Sequence, residues 1–421
     1  MSGMTLGTPL EISHRRIQGR SLTLLVMVDA LRHDYLIESD APFLYHLSRR
    51  AISGRLQPTF GFEPDGAYLA GLYPDECDGG ARYWYNVQRS PFRWIRYLVP
   101  ALRFCPRGVP EKLIRKLLTF AVRRTTEFRY ATVANIPFDL LPYFAPVASH
   151  SPFDISFSTY PTIFSFCSEN GIKWLAHWSP MFKTRLSAGL ERLKSKLKPP
   201  IRFAFWHISD LDTVGHRYGP CSSECKAALQ RVDAGIRKLF IHLEKLYDRI
   251  DLIIIGDHGM VEVRDTLDVQ SVLHKAGIRQ GDGVLYFLDS TMARFWFFEE
   301  RMELAVISVL KKLRGGRILK QEDLDRYHLN YSHNRFGDLF FLANPGVLIL
   351  PNFYQGTKPV RGMHGYVPEC PDQQSAFVIY APSINTPWRI EQPVDMRRIF
   401  PTVLRLLDIE RPLHCGVQSL I

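Results

Sequence analysis

Phe203-Ala204-Phe205-Trp206-His207-Ile208 runs directly into Ser209-Asp210-Leu211-Asp212-Thr213-Val214-Gly215-His216-Arg217-Tyr218-Gly219-Pro220, and this stretch sets the fold. A short apolar run that stops at a polar, glycine-containing segment predicts a buried strand with functional side chains at its carboxyl end. The pattern recurs. Leu22 to Val28 ends in Asp29, and Asp251-Leu252-Ile253-Ile254-Ile255 ends in Gly256-Asp257-His258-Gly259-Met260. Helical periodicity fills the intervals, over Met181 to Lys196 and Cys225 to Tyr247. Strands separated by helices predict an α/β protein whose mostly parallel sheet is covered by helices on both faces. Ligands of such sheets gather outside the carboxyl ends of the strands, where Asp29, Asp212 with His216, and Asp257 with His258 all fall. Gly215 is expected to let the backbone turn so that Asp212 and His216 reach one metal ion.

Working outward, Ala41 to Arg50 reads as a helix, Pro58 to Asp65 as a loop, and Ala67 to Pro74 as a helix ended by its proline. Pro110 to Val122 is predicted helical, and 131–160, rich in Pro, Phe and Ser, reads as loop or insertion. Residues 261–360 mix helices with strand-like runs such as Ala293 to Phe298 and Leu339 to Leu342. The chain then returns to Gly362-Met363-His364-Gly365-Tyr366, a glycine-flanked histidine. The expected organisation is a single α/β domain over 1–421, carrying an inserted cap at 82–160 and a second, smaller insertion at 261–360.

The 421 residues carry a net charge of +11, and the excess is local. Between Arg82 and Arg129 twelve Lys and Arg stand against Glu111 and Glu127 only, a balance of +10. Tyr83, Trp84, Tyr85, Phe92, Trp94, Tyr97 and Phe104 are interleaved with these cations, so the block predicts a face for phosphates or anionic lipid that also carries apolar surface. No specific nucleic-acid contact is expected, and the oligomeric state is left open. Seven scattered cysteines predict a reducing compartment rather than a disulfide framework. No apolar run approaches the ~20 residues of a membrane span. The expectation is a soluble, cytoplasmic protein, with anionic membrane as a partner through 82–129.

Asp29, Asp212, His216, Asp257, His258 and His364 together supply enough nitrogen and oxygen ligands for two divalent ions, a set that suits zinc and tolerates manganese. Two ions roughly 3.5–4 Å apart stabilise the attacking and leaving oxygens of an in-line phosphoryl displacement. With Gly71-Leu72-Tyr73-Pro74 and Phe400-Pro401-Thr402 added in order, the chain resembles the alkaline phosphatase superfamily, in its type I phosphodiesterase/nucleotide pyrophosphatase branch. The resemblance implies that Asp212, His216 and His364 hold one zinc and that Asp29, Asp257 and His258 hold the other beside a Ser or Thr nucleophile. It also implies hydrolysis of phosphodiester or pyrophosphate bonds of an anionic substrate. Counted back without gaps from Gly71, however, the family's threonine falls on Gly61 and its following asparagine on Pro64. Thr59, in the same loop, is the candidate nucleophile, and water is the alternative attacker. A phosphomonoesterase or phosphotransferase with the same metals, or a silent metal-binding protein on an anionic surface, are the competing readings.

Overall fold

The computed structural model describes residues 20–102, 108–128, 131–147, 153, 160–178, 186–383, 387–413 and 415–421. Its centre is a seven-stranded sheet of β1 (Ser21–Val28), β2 (Ile52–Gln57), β3 (Trp174–Trp178), β4 (Phe203–Ile208), β5 (Arg249–Ile255), β6 (Ser375–Tyr380) and β7 (Trp388–Asp395), in the order β7-β2-β6-β5-β1-β4-β3. Strand β1 runs parallel to both neighbours, with Leu25 opposite Phe205 on one side and Ile253 on the other. Only β6 is reversed, antiparallel to β5 and β2. Strands β1, β2, β4 and β5 therefore deliver their carboxyl ends to the same rim.

Both faces of the sheet are covered, which is why the strands are apolar at nearly every position. Leu22, Leu24, Val26 and Val28 of β1 join a core with Leu44 of α1 (Pro42–Ser48), Leu193 of α5 (Leu186–Lys196), and Leu229, Val232 and Ile236 of α7 (Ser223–Leu243). Leu25 and Met27 point the other way. They meet Leu69 of α2 (Asp65–Ala70), Phe164 of α4 (Ile163–Glu169), and Phe400 and Val403 of α8 (Ile399–Leu406). Each fully buried Leu in these layers contributes roughly 1.5–3 kcal/mol. Helix α7 begins where Ser222 Oγ accepts the Cys225 amide at 3.1 Å, which satisfies a donor that the helix leaves open.

Two expectations are corrected. Helix α2 does not reach Pro74: it stops at Ala70, because Gly71 takes a left-handed conformation (φ 73°) that closes the turn. The segment after residue 130 is not merely loop. Val133, Ile136, Leu141 and Phe144 are buried, and Phe144–Pro146 pairs with Tyr83–Tyr85. Between its prolines, every few residues, an apolar side chain is driven inward. The start of the helix expected from Met181 lies outside the described residues, as do Arg103, Phe104, Arg107 and Arg129 of the basic block.

A third core joins the two insertions. Tyr83, Trp84, Phe92 and Ile95, with Leu118 and Val122 of α3 (Val109–Thr125), pack together with the antiparallel strands Val284–Leu288, Met292–Phe297 and Leu339–Ala343. Phe144 meets Phe287 edge-on at 4.9 Å. Phe60 and Phe62 of the loop after β2 belong to the same cluster, so the cap grips the rim of the sheet. Among the described residues, no helix is long and apolar enough to cross a membrane.

Candidate metal centre

Three strand ends and one helix bring the six side chains together. Asp29 follows β1, and its amide donates to the Ile208 carbonyl of β4 at 2.8 Å. Asp257 follows β5, and its Oδ1 accepts the Ala30 and His258 amides at 3.1 and 2.9 Å. Helix α6 (Asp210–Tyr218) carries Asp212 and His216. Here the expected turn at Gly215 is replaced by continuous helix, and the two side chains converge because residues four apart share a face. Gly215 serves packing instead, since a Cβ there would lie 3.2 Å from Met260. His364 is set by the short strand Gly362–Met363, which pairs with Val261–Glu262.

The result is two triads, Asp212 with His216 and His364, and Asp29 with Asp257 and His258. Within each, one potential ligand atom per residue lies within 4.8 Å of the others. Asp212 Oδ1 is 3.1 Å from His216 Nε2 and 3.7 Å from His364 Nε2. His258 Nε2 is 3.4 Å from Asp29 Oδ1 and 3.5 Å from Asp257 Oδ2. The His258 and His364 rings stack at 3.7 Å, nearly parallel at 9°, and so bridge the triads.

This donor set fits a cation. His216 Nδ1 and His258 Nδ1 each lie 2.8 Å from a carbonyl, of Gly362 and Gly259. A carbonyl only accepts, so Nδ1 carries the proton and the Nε2 lone pair of each ring faces its triad. Asp29 Oδ1 and His364 Nδ1 are buried with no hydrogen-bond partner among the described residues, an arrangement that costs stability unless something else satisfies them. Burial, with the charges of Asp212 and Asp257, pushes the Asp29 carboxyl well above its ordinary range. Burial also raises Asp257 and, with His258 next to it, drives His364 well below the usual imidazole range. Desolvation works the same way on the half-buried Asp212, but His216, His364 and His258 together outweigh it and hold its carboxyl low.

The loop that precedes α2 supplies the rim above β2. Thr59 lies two residues past Gln57, half-buried, at the edge shared with Asp29 and Asp257. Phe62 packs edge-on against the His364 ring at 6.0 Å. Gly61, onto which the gapless count puts the family's threonine, has φ 116°, and a Cβ there would lie 2.4 Å from the Gly80 backbone. No side chain fits. Gly61→Ala is expected to cost about 3 kcal/mol or more, because backbone overlap adds to a strained φ; an apparent melting temperature within error of wild type would show that the contact yields.

Several groups at this rim escape a motif search. Arg82 Nε is 2.6 Å from Glu63 Oε1, and about half of the Arg82 side chain is exposed (50 %). Its charge acts on Asp29, His216 and His364, members of both triads. The only sequence signal was its place as first cation of the basic block. Asp65, hydrogen-bonded by the Tyr68 hydroxyl, is pushed up to about 7 by burial and by Glu63. Other polar groups are held in structural ion pairs. Arg32 pairs with Asp34 and Asp372 at 2.7 and 3.0 Å, Arg294 is fully buried on Asp289 at 2.7 Å, and His333 pairs with Asp78 at 3.0 Å. His207 Nε2 reaches Asp29 Oδ2 at 3.6 Å, beside the second triad.

The chain has similar proteins both in sequence and in fold. The chain is 24% identical over 252 residues to ectonucleotide pyrophosphatase/phosphodiesterase family member 5 of Homo sapiens, covering 58% of this chain and 50% of that protein. It is 24% identical over 251 residues to the bis(5'-adenosyl)-triphosphatase enpp4 of Mus musculus, covering 57% and 51%. The chain thus spans about half the length of the curated relatives it matches. In structure it is similar to murine ectonucleotide pyrophosphatase/phosphodiesterase 5, with a TM-score of 0.69 at 16% identity over 94% of this chain and 98% of the other. An inactive threonine-to-alanine variant of that murine protein in complex with AMP matches with the same TM-score of 0.69. The family model for type I phosphodiesterase/nucleotide pyrophosphatase matches residues 115–367, more than half of the sequence, and the chain belongs to that family.

Proposed function

We propose that the protein is a metal-dependent hydrolase of phosphodiester or pyrophosphate bonds. The observation that carries this is the pair of triads at one sheet rim, bridged by the His258 and His364 stack. In this reading Asp212, His216 and His364 hold one divalent cation, and Asp29, Asp257 and His258 hold the other. The mixed nitrogen and oxygen donors support zinc, with manganese tolerated by the same ligands. Bound there, two such ions would supply positive charge for the attacking and leaving oxygens of an in-line displacement.

The remaining work falls to the chain itself. Thr59 offers the attacking hydroxyl from the rim loop, and Arg82, held beside that loop by Glu63, stands ready to oppose a phosphoryl oxygen. The basic cap gathers an anionic phosphate ester, and the AMP complex of the murine relative makes adenine nucleotides the first class to assay. The scattered cysteines support a reducing, cytoplasmic setting.

The test is turnover of bis-p-nitrophenyl phosphate and p-nitrophenyl phosphate by the purified chain, after chelation and after addition of zinc or manganese. The expected result is diesterase activity that exceeds monoesterase activity, vanishes with chelator and returns with metal. Preference for the monoester would favour the phosphatase reading. Metal binding without turnover of either ester would make the protein a silent member, the reading that Gly61 favours.

A further inference from the structure

Helix α3 exposes the wrong kind of surface for a helix that only packs. Its inner side is satisfied: Leu118 and Val122 are buried, and Arg115 reaches Glu111 at 2.7 Å and the Ala134 and Ile136 carbonyls at 3.1 and 2.6 Å. On the outer side Val109, Leu113, Leu117 and Phe120 are 79, 56, 58 and 66% exposed. Their spacing puts them on one stripe of a helix with 3.6 residues per turn. Lys112, Lys116 and Arg124 are exposed on the same side. The helix has a single acid, Glu111, and it is turned inward to Arg115.

Just upstream, the turn Arg93–Tyr97 repeats the arrangement. Ile95 is buried in the core that also holds Leu118 and Val122, while Trp94, Tyr97 and Leu98 are 44, 71 and 46% exposed. Arg96 lies over the Tyr97 ring at 4.7 Å.

Single exposed apolar residues are ordinary. Four on one helical face, framed by three cations with no acid, are a different matter. A second copy of the chain on this face would bring the cations against one another. An anionic bilayer takes both features at once: apolar side chains enter the boundary of the acyl region, and lysines and arginines stay at headgroup level. We propose that α3, with Trp94 and Tyr97, is a docking face that lays the cap on an anionic lipid surface. This does not depend on the hydrolase reading, since none of these residues belongs to the rim site.

The test is co-sedimentation of the full chain with phosphatidylcholine vesicles, with and without phosphatidylserine, at low and high salt. Binding is expected only with phosphatidylserine, falling roughly tenfold or more at high salt. Leu117→Ser with Phe120→Ser, and separately Lys112→Glu with Lys116→Glu, should each weaken binding roughly tenfold or more. Both double variants alter exposed side chains, so thermal melts should match wild type, and the uncharged pair Leu117→Ser with Phe120→Ser should also leave hydrolysis of a soluble diester unchanged. Equal binding to both vesicle types, or binding to neither, overturns the proposal. So does a lipid-free dimer in sedimentation velocity that Leu117→Ser with Phe120→Ser abolishes, which would make this face a contact between copies.

Discussion

Asp257→Asn is expected to abolish metal-dependent turnover, by roughly 10²–10³-fold or more, while the protein stays folded. The separation of the two effects follows from how the side chain is held. Asp257 Oδ1 accepts two buried amides, those of Ala30 and His258, and an asparagine keeps that oxygen. The change falls on the other side, where Oδ2 faces His258 at 3.5 Å and an amide nitrogen has no lone pair to give a cation. Removing one of three clustered carboxylates also relieves repulsion, since Asp29 is pushed up in part by Asp212 and Asp257. In the metal-free protein the variant should therefore melt no lower than wild type, whereas the stabilisation that added zinc or manganese gives the wild type should shrink. Melts with and without metal, run beside kcat on a diester, test both halves. Unchanged turnover would remove Asp257 from the ligand set.

Thr59→Ala is the second large effect. If its hydroxyl attacks phosphorus, turnover should fall roughly 10³-fold or more, with metal-induced stabilisation intact because no proposed ligand is touched. The alternative role, a threonine that only shapes the turn, predicts a different pattern of lower stability with turnover reduced in proportion. Among the described residues no partner hydrogen-bonds the Thr59 hydroxyl, so the truncation should leave the melt nearly unchanged. Single-turnover kinetics on a diester then decide between attackers. Near-normal turnover in the variant would assign the attack to water.

Much of this was legible before any coordinates. The six ligand-type residues each sit at a strand end or beside a glycine, and strand ends in parallel sheets are placed by backbone pairing that period and apolarity reveal. The path by which Asp212 and His216 meet was misread, because a glycine inside a polar stretch looks like a turn while the helix around it is decided by packing against Met260. Residues 131–147 looked like loop because their apolar positions follow no period; they are spaced by turns rather than by strand or helix geometry. Arg82 and Asp65 could not be found by motif. Their placement depends on which loop lies against which, and that contact is tertiary.

The close approach of Gly61 and Gly80 bears on which residues the rim loop can accept. Any side chain at Gly61 meets the backbone of a second segment, so a hydroxyl residue could be housed there only if the segment around Gly80 moved as well. The two loops therefore constrain each other, and a larger residue at Gly61 is tolerated only when the other segment gives way.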